Sequence, residues 1–147
     1  MITALTEQTH LPDIEQLSFE ERLGLLIDRE ITHRDDRRLK TRLRKAKLKQ
    51  NACTEDIDYR HPRGLDRGLM SNLIDCEWAK RHRNILITGP TGVGKTWIAC
   101  ALAHKACREG YSALYLRLPR LLQELPIAKG DGSFPRLLNT LAKIDVL

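Results

Sequence analysis

Apolar residues in the first third of the chain recur with a helical period. Phe19, Leu23, Leu26, Ile27 and Ile31 fall at i, i+4, i+7, i+8 and i+12, on one face of a 3.6-residue repeat. Ahead of them Ser18-Phe19-Glu20-Glu21 has the S-x-x-E form of a capping box, which opens a helix. No Gly or Pro interrupts Leu25 to Lys49, so the helix is predicted to continue, with room for a break between Thr32 and Asp36. In its second half Leu39, Leu43 and Ala46 keep a narrow apolar stripe that must pack on something, while bases face outward.

The pattern then changes. Asn51 to Gly68 mixes acids, bases, Pro and Gly and reads as a linker. Leu69, Leu73, Cys76 and Ala79 or Lys80 restore helical spacing and predict a helix over 69–81. Ile85, Leu86 and Ile87 form a short apolar run suited to a buried parallel strand. From Thr96 to Arg108 there is again no Gly or Pro, and Gly110 stands where a helix C-cap is expected. A second strand is predicted at Ala113–Arg117, then a helix from Leu118 with Pro119 in its first turn. A loop at Lys129–Ser133, a helix over 135–143 and a third strand from Ile144 to Leu147 complete the order.

Between the first strand and its helix lies Gly89-Pro90-Thr91-Gly92-Val93-Gly94-Lys95-Thr96, which matches the phosphate-binding P-loop, G-x-x-x-x-G-K-[ST], at every required position. Polyphosphate is held by backbone N–H groups curled around it, and glycine permits the curl because it tolerates positive φ. The following helix aims its unpaired N–H groups and the positive end of its dipole at the same phosphates. Lys95 is expected to reach the β- and γ-phosphates and the Thr96 hydroxyl to ligate Mg²⁺. The strand-turn-helix setting turns a short motif into a nucleoside triphosphate site.

Composition narrows the setting. The chain has 147 residues, 41% hydrophobic and 30% charged, a globular balance, and its 5% aromatic content makes any core mostly aliphatic. The longest apolar run, Trp97 to Ala103, is too short to span a bilayer, and the first ten residues lack the form of a secretory signal. A cytoplasmic protein with no membrane partner is expected. Cys53, Cys76, Cys100 and Cys107 contain no C-x-x-C pair and read as structural thiols. The five histidines show no ligand spacing.

Net charge is +6, and it is local. Arg37, Arg38, Lys40, Arg42, Arg44, Lys45, Lys47 and Lys49 place eight bases in thirteen positions without an acid. Setting those eight aside from the 25 bases leaves the remainder two charges short of its 19 acids. Such a segment is a solvated helix face, a contact for a nucleic-acid backbone, or a surface for protein or membrane. No aromatic residue is interleaved, so base stacking is not indicated and any DNA contact would be to the backbone.

The chain resembles the IstB-like ATP-binding proteins, transposition helper ATPases related to DnaC-type helicase loaders within the AAA+ class. The likeness is carried by "LSFEERLGLLIDRE" at Leu17, "IDYRHPRGLDR" at Ile57 and "NILITGPTGVGKTWIACALAHKACREGY" at Asn84. It extends through "LYLRLPRLLQEL" at Leu114 and "GDGSFPRLLNTLAKIDVL" at Gly130. The resemblance implies an α/β P-loop NTPase core of AAA+ type in three layers, preceded by a small helical domain. Expected bounds are a helical domain with the basic helix over 1–52, a linker over 53–68 and the first part of the ATPase domain over 69–147. It also implies ATP and Mg²⁺ as cofactors, DNA and a transposase as partners, and homo-oligomers through a complete ATPase domain. Tyr59 to Arg63 is where adenine contacts are expected.

In that family the third strand runs on into paired acids, the Walker B motif, followed by a sensor residue and an arginine finger. None of these stands within the 147 residues, and Asp35-Asp36 lies in the charged helical region. A truncated member is therefore expected, one that does not hydrolyse ATP and folds poorly alone because both neighbours of the P-loop strand are missing. Competing readings are a helicase-loader ATPase, a small P-loop kinase and an inert gene remnant or regulator of a full-length relative.

Overall fold

The computed structural model describes residues 5–6, 17–60 and 64–147. Its helices are α1 (Phe19–Ala46), α2 (Arg67–Ile74), α3 (Glu77–Lys80), α4 (Lys95–Arg108), α5 (Leu118–Gly130) and α6 (Phe134–Leu141), with a 3₁₀ turn at Thr54–Asp56. The chain forms two compact units, Met1–Thr41 and Arg42–Leu147, so their boundary falls inside α1.

In the first unit the capping box closes in both directions. The Ser18 N–H donates to Glu21 Oε2 at 2.8 Å and the Glu21 N–H to Ser18 Oγ at 3.3 Å. These bonds hold the Glu21 carboxyl below its ordinary range. The break allowed near Thr32 to Asp36 does not occur, and α1 runs unbroken for 28 residues. Thr32 donates its hydroxyl proton back to the Asp28 carbonyl at 2.9 Å, and Arg34 pairs with Glu30 one turn away at 2.8 Å. Polar side chains are thus absorbed on the helix surface. The apolar face of its first half is largely exposed: Phe19 is 77% and Ile31 52% accessible.

The second unit is organised around α4. Ile98 and Leu102 join Ile57 and Met70 in a buried cluster, against which Ile85 and Ile87 pack. On another side Cys100 and Ala101 meet Ala52, with Leu48 and Tyr115 at the margin. A Schellman motif ends the helix: the Tyr111 N–H donates to the Ala106 carbonyl at 3.0 Å and the Gly110 N–H to Cys107 at 3.3 Å, with Gly110 at φ +101°. Arg42 Nε donates to the same Cys107 carbonyl at 2.8 Å. Nearby, fully buried Ala46 accepts from the Tyr115 N–H at 2.8 Å. The stripe of Leu39, Leu43 and Ala46 is covered progressively toward its end, half-buried at the two leucines and fully buried at Ala46.

The predicted helix over 69–81 is two helices. Cys76 turns the chain through the left-handed region at φ 56° between α2 and α3, and the Trp78 indole N–H donates to the Leu73 carbonyl at 2.8 Å across the break. Helical spacing survived because Cys76 and Ala79 are both buried all the same. The expected loop at Lys129–Ser133 begins later, since α5 continues to Gly130 with Pro126 inside it.

None of the three predicted strands forms a ladder among the described residues. Residues 85–88 keep the alternation of a strand, with Ile85 and Ile87 half-buried and Leu86 88% exposed. No described segment lies beside them to exchange backbone hydrogen bonds. The second and third segments do meet, through one parallel bridge between Ala113 and Val146. There Leu114 N–H donates to Val146 at 2.9 Å and Val146 N–H to Ser112 at 3.0 Å. Asp145 fixes the register by accepting from the Ser112 N–H at 2.8 Å and its hydroxyl at 2.7 Å, which lowers its carboxyl pKa. A groove of about 310 Å³ is lined by Ile85 and Ile87 together with Leu114, Tyr115 and Leu116.

Cys76, Cys100 and Cys107 are buried and all four thiols are free. Burial pushes the Cys76 and Cys107 thiols up, as expected of packing cysteines.

Two predictions follow from these ties. Arg42→Ala removes a charged donor from the end of α4, so the Tyr115 amide should exchange with solvent about tenfold faster, as for one charge-assisted hydrogen bond of about 1.5 kcal/mol. Arg44→Ala, on an exposed position, should leave that rate unchanged in the same hydrogen-exchange experiment. Glu55, ion-paired with Arg108, has its carboxyl lowered to about 2, first by the hydrogen bond from that guanidinium. A depressed carboxylate stabilises the fold fully above its unfolded pKa and loses that contribution as pH falls through the folded value. NMR titration of the Glu55 side chain should therefore show a midpoint near 2, returning toward 4.5 in Arg108→Gln.

Candidate nucleotide-binding site

The site begins where the extended segment 85–88 hands the chain to α4. Three glycines make the turn, Gly89 at φ +142°, Gly92 at φ +90° and Gly94 at φ +91°, conformations that residues with a Cβ rarely adopt. At Gly89 an added Cβ would also lie 3.5 Å from Val93 Cγ2. Gly94 is the N-cap of α4, so the helix starts at Lys95 itself. Among the described residues, the N–H groups of Gly92, Gly94, Lys95 and Thr96 have no carbonyl partner. They form a set of donors at a positive helix end, the arrangement an anion requires.

Lys95 folds back over this turn. Its ammonium donates to the Gly89 carbonyl at 2.8 Å and to the Pro90 carbonyl at 2.6 Å. Those bonds hold the lysine at the mouth of the loop rather than out in solvent. A cavity of about 670 Å³ opens there, lined on the loop side by Thr91, Gly92, Gly94, Lys95 and Thr96. Gly89, Pro90 and Val93 shape the turn without lining the cavity. The volume suits a nucleotide.

Beyond Trp97 and Ile98 of α4, most of the remaining wall comes from segments whose sequence reads as linker or as the basic run. Asp56 ends the 3₁₀ turn, Ile57 and Asp58 follow it, Leu65 precedes α2, and Lys49 with Gln50 follows α1. The Arg108–Glu55 ion pair binds the 3₁₀ turn to α4, which carries those residues to the cavity. Of the segment expected to meet adenine, residues 61–63 lie outside the described residues. Tyr59 is half-buried, packs on the Ile57 cluster and lies under Arg67, whose guanidinium carbon is 5.1 Å from the ring centre. The usable signal was the acid-rich run "TEDID" with one apolar residue, Ile57, set between acids, which resembled ordinary linker composition.

The basic candidates separate. Arg37, Arg38 and Lys40 belong to the first unit and are exposed, with Arg38 paired to Asp35 at 3.4 Å. In the second unit Arg42 is committed to the Cys107 carbonyl, Arg44, Lys45 and Lys47 are exposed, and Lys49 lines the cavity. No group of three or more His, Cys, Asp or Glu residues among those described could hold a metal ion, and no described helix is long and apolar enough to cross a membrane.

The residues fit a nucleoside triphosphate. Glycine conformations, N–H groups without a carbonyl partner and a positioned ammonium supply what polyphosphate needs, and the Thr96 hydroxyl is the group that would hold a divalent cation, which would add positive charge there.

A protein of insertion sequence IS1162 of Pseudomonas fluorescens, described as ATP-binding, is 60% identical over 148 residues, all of this chain and 64% of the relative. An insertion-sequence protein of Sinorhizobium fredii, also described as ATP-binding, is 51% identical over the whole chain and 60% of its own length. The corresponding protein of insertion sequence IS21 of Pseudomonas aeruginosa is 32% identical over 90% of this chain and 50% of the relative. The chain thus spans about three fifths of the first two. The family profile of IstB-like ATP binding proteins matches residues 1–147, and the chain belongs to that family.

Proposed function

We propose that this protein is an ATP-binding helper of DNA transposition that acts with a transposase on DNA. The observation that carries the reading is the cavity between the P-loop and the Asp56–Asp58 wall, in a chain of an insertion-sequence ATP-binding family. In this reading Gly89 to Thr96 hold the triphosphate of ATP, Lys95 neutralises its outer phosphates and Thr96 ligates Mg²⁺. The described helices belong to an AAA+ type α/β core with a small helical domain before it. Parallel pairing of Ala113 with Val146 supports that core, because parallel strands joined through a helical connection are its signature. Cytoplasmic residence and homo-oligomers of the complete protein complete the proposal.

Exposed Arg37, Arg38, Lys40, Arg44, Lys45 and Lys47 are the surface offered to the DNA backbone. Phosphate contacts of this kind draw on counterion release and carry little sequence preference.

Lys95→Ala should lower ATP affinity at least tenfold, about 1.4 kcal/mol, since it removes the charged donor at the loop mouth. Isothermal calorimetry reads this directly, and wild-type affinity in the variant would remove the P-loop from the site. Replacing Arg44, Lys45 and Lys47 by Gln should weaken DNA binding and reduce the steepness of its salt dependence by about two to three phosphate contacts. An unchanged slope in a salt series would place the DNA surface elsewhere.

A further inference from the structure

Lys49 closes the basic run in the sequence, yet its surroundings differ from those of its neighbours. The chain leaves α1 at fully buried Ala46, turns through the left-handed region at Lys47 (φ 50°), and anchors Leu48 against Ala52, Cys100 and Ala101. Ala52 is likewise fully buried. Residue 49 is therefore held between fixed points three residues away on either side. Its place is the wall of the P-loop cavity, beside Gln50 and together with Asp56 and Asp58. Its ammonium makes no ion pair among the described residues.

A cation on a tethered backbone, exposed in the wall of a cavity that already collects phosphate-binding donors, has a natural ligand. We propose that Lys49 is a nucleotide-contacting residue, a second cation for the polyphosphate of ATP. It thereby stands apart from the DNA-facing bases that precede it. The proposal rests on the reading of this cavity as the ATP site. The segment after α1 would then supply positive charge that Lys95 alone does not, offsetting the repulsion of a polyphosphate by Asp56 and Asp58 on the same wall.

The test uses the full chain and four proteins: wild type, Lys49→Gln, Lys47→Gln and Lys95→Ala. ATP affinity is measured by calorimetry, and the acetylation rate of each lysine is measured by mass spectrometry with and without ATP. Lys49→Gln should weaken ATP binding about three- to tenfold while Lys47→Gln leaves it unchanged. ATP should slow acetylation of Lys49 several-fold and leave Lys45 and Lys47 at their free rates. Tyr115 amide exchange at the wild-type rate in Lys49→Gln confirms that its fold is intact. Unchanged affinity in Lys49→Gln with unprotected Lys49 overturns the proposal, and loss of binding in Lys95→Ala then leaves the P-loop reading standing. Equal weakening in Lys49→Gln and Lys47→Gln also overturns it, since that marks a general field. Full ATP affinity in Lys95→Ala with no protection of Lys49 overturns both readings.

Discussion

Close approach to α4 is the constraint on which the second unit depends. That helix buries Ala101, Ala106, Cys100 and Cys107 almost completely, and small side chains let neighbouring backbone come near. Ala52 packs against Cys100 and Ala101 in the space so gained, and Ala52 and Ala46 each have no accessible surface. A larger residue at any of these positions would force the end of α1 away and disturb the contacts that follow. The Cys107 carbonyl shows how tight the arrangement is, since it accepts from both the Gly110 N–H and Arg42. Two donors on one oxygen at a helix C-terminus also answer the negative end of the dipole. The P-loop at one end of α4 and the docked basic segment near the other share a single rigid element.

From that element the cavity follows. The first turn of α4 contributes Lys95 and Thr96, and Ile98 pins the helix to Ile57, whose neighbours Asp56 and Asp58 make the facing wall. Glu55, one position earlier, meets Arg108 in the last turn. The short stretch 55–58 is thus held against both ends of one helix. An exposed ion pair contributes little by itself. Its value here is positional, because it sets the register of a segment that has no ladder to set it.

Signals confined to a few adjacent residues were readable in the sequence. The capping box, the P-loop and the glycine stop of α4 each depend on local backbone chemistry, and each is present in the structure. Features that depend on distant partners were not. Asp56 to Asp58 reach the cavity only because of Ile57 burial and the Arg108 pair, and neither leaves a mark in linker-like composition. Arg42 reads as one base among eight, and its bond to a carbonyl 65 positions away sets it apart only in three dimensions. The division of helix 69–81 was hidden for another reason: Cys76 keeps its buried position while its backbone leaves the helix. The apolar run at 85–87 reads as a buried strand, yet Leu86 is exposed between half-buried Ile85 and Ile87, because burial on both faces and a ladder need neighbouring strands, and no backbone partner lies there among the described residues.

The two tryptophans occupy unlike places. Trp97 stands in the wall of the P-loop cavity, one residue past Thr96, while Trp78 is fixed by its indole bond to Leu73 and borders the separate groove beside Ile85. An indole reports the polarity of its surroundings through the colour and intensity of its emission. The chain therefore carries its own optical probe at the mouth of the loop and, in Trp78, an internal reference whose environment is set by the backbone. Filling the cavity would then be expected to register in the ultraviolet fluorescence of the native sequence, with no label to attach and no side chain to replace.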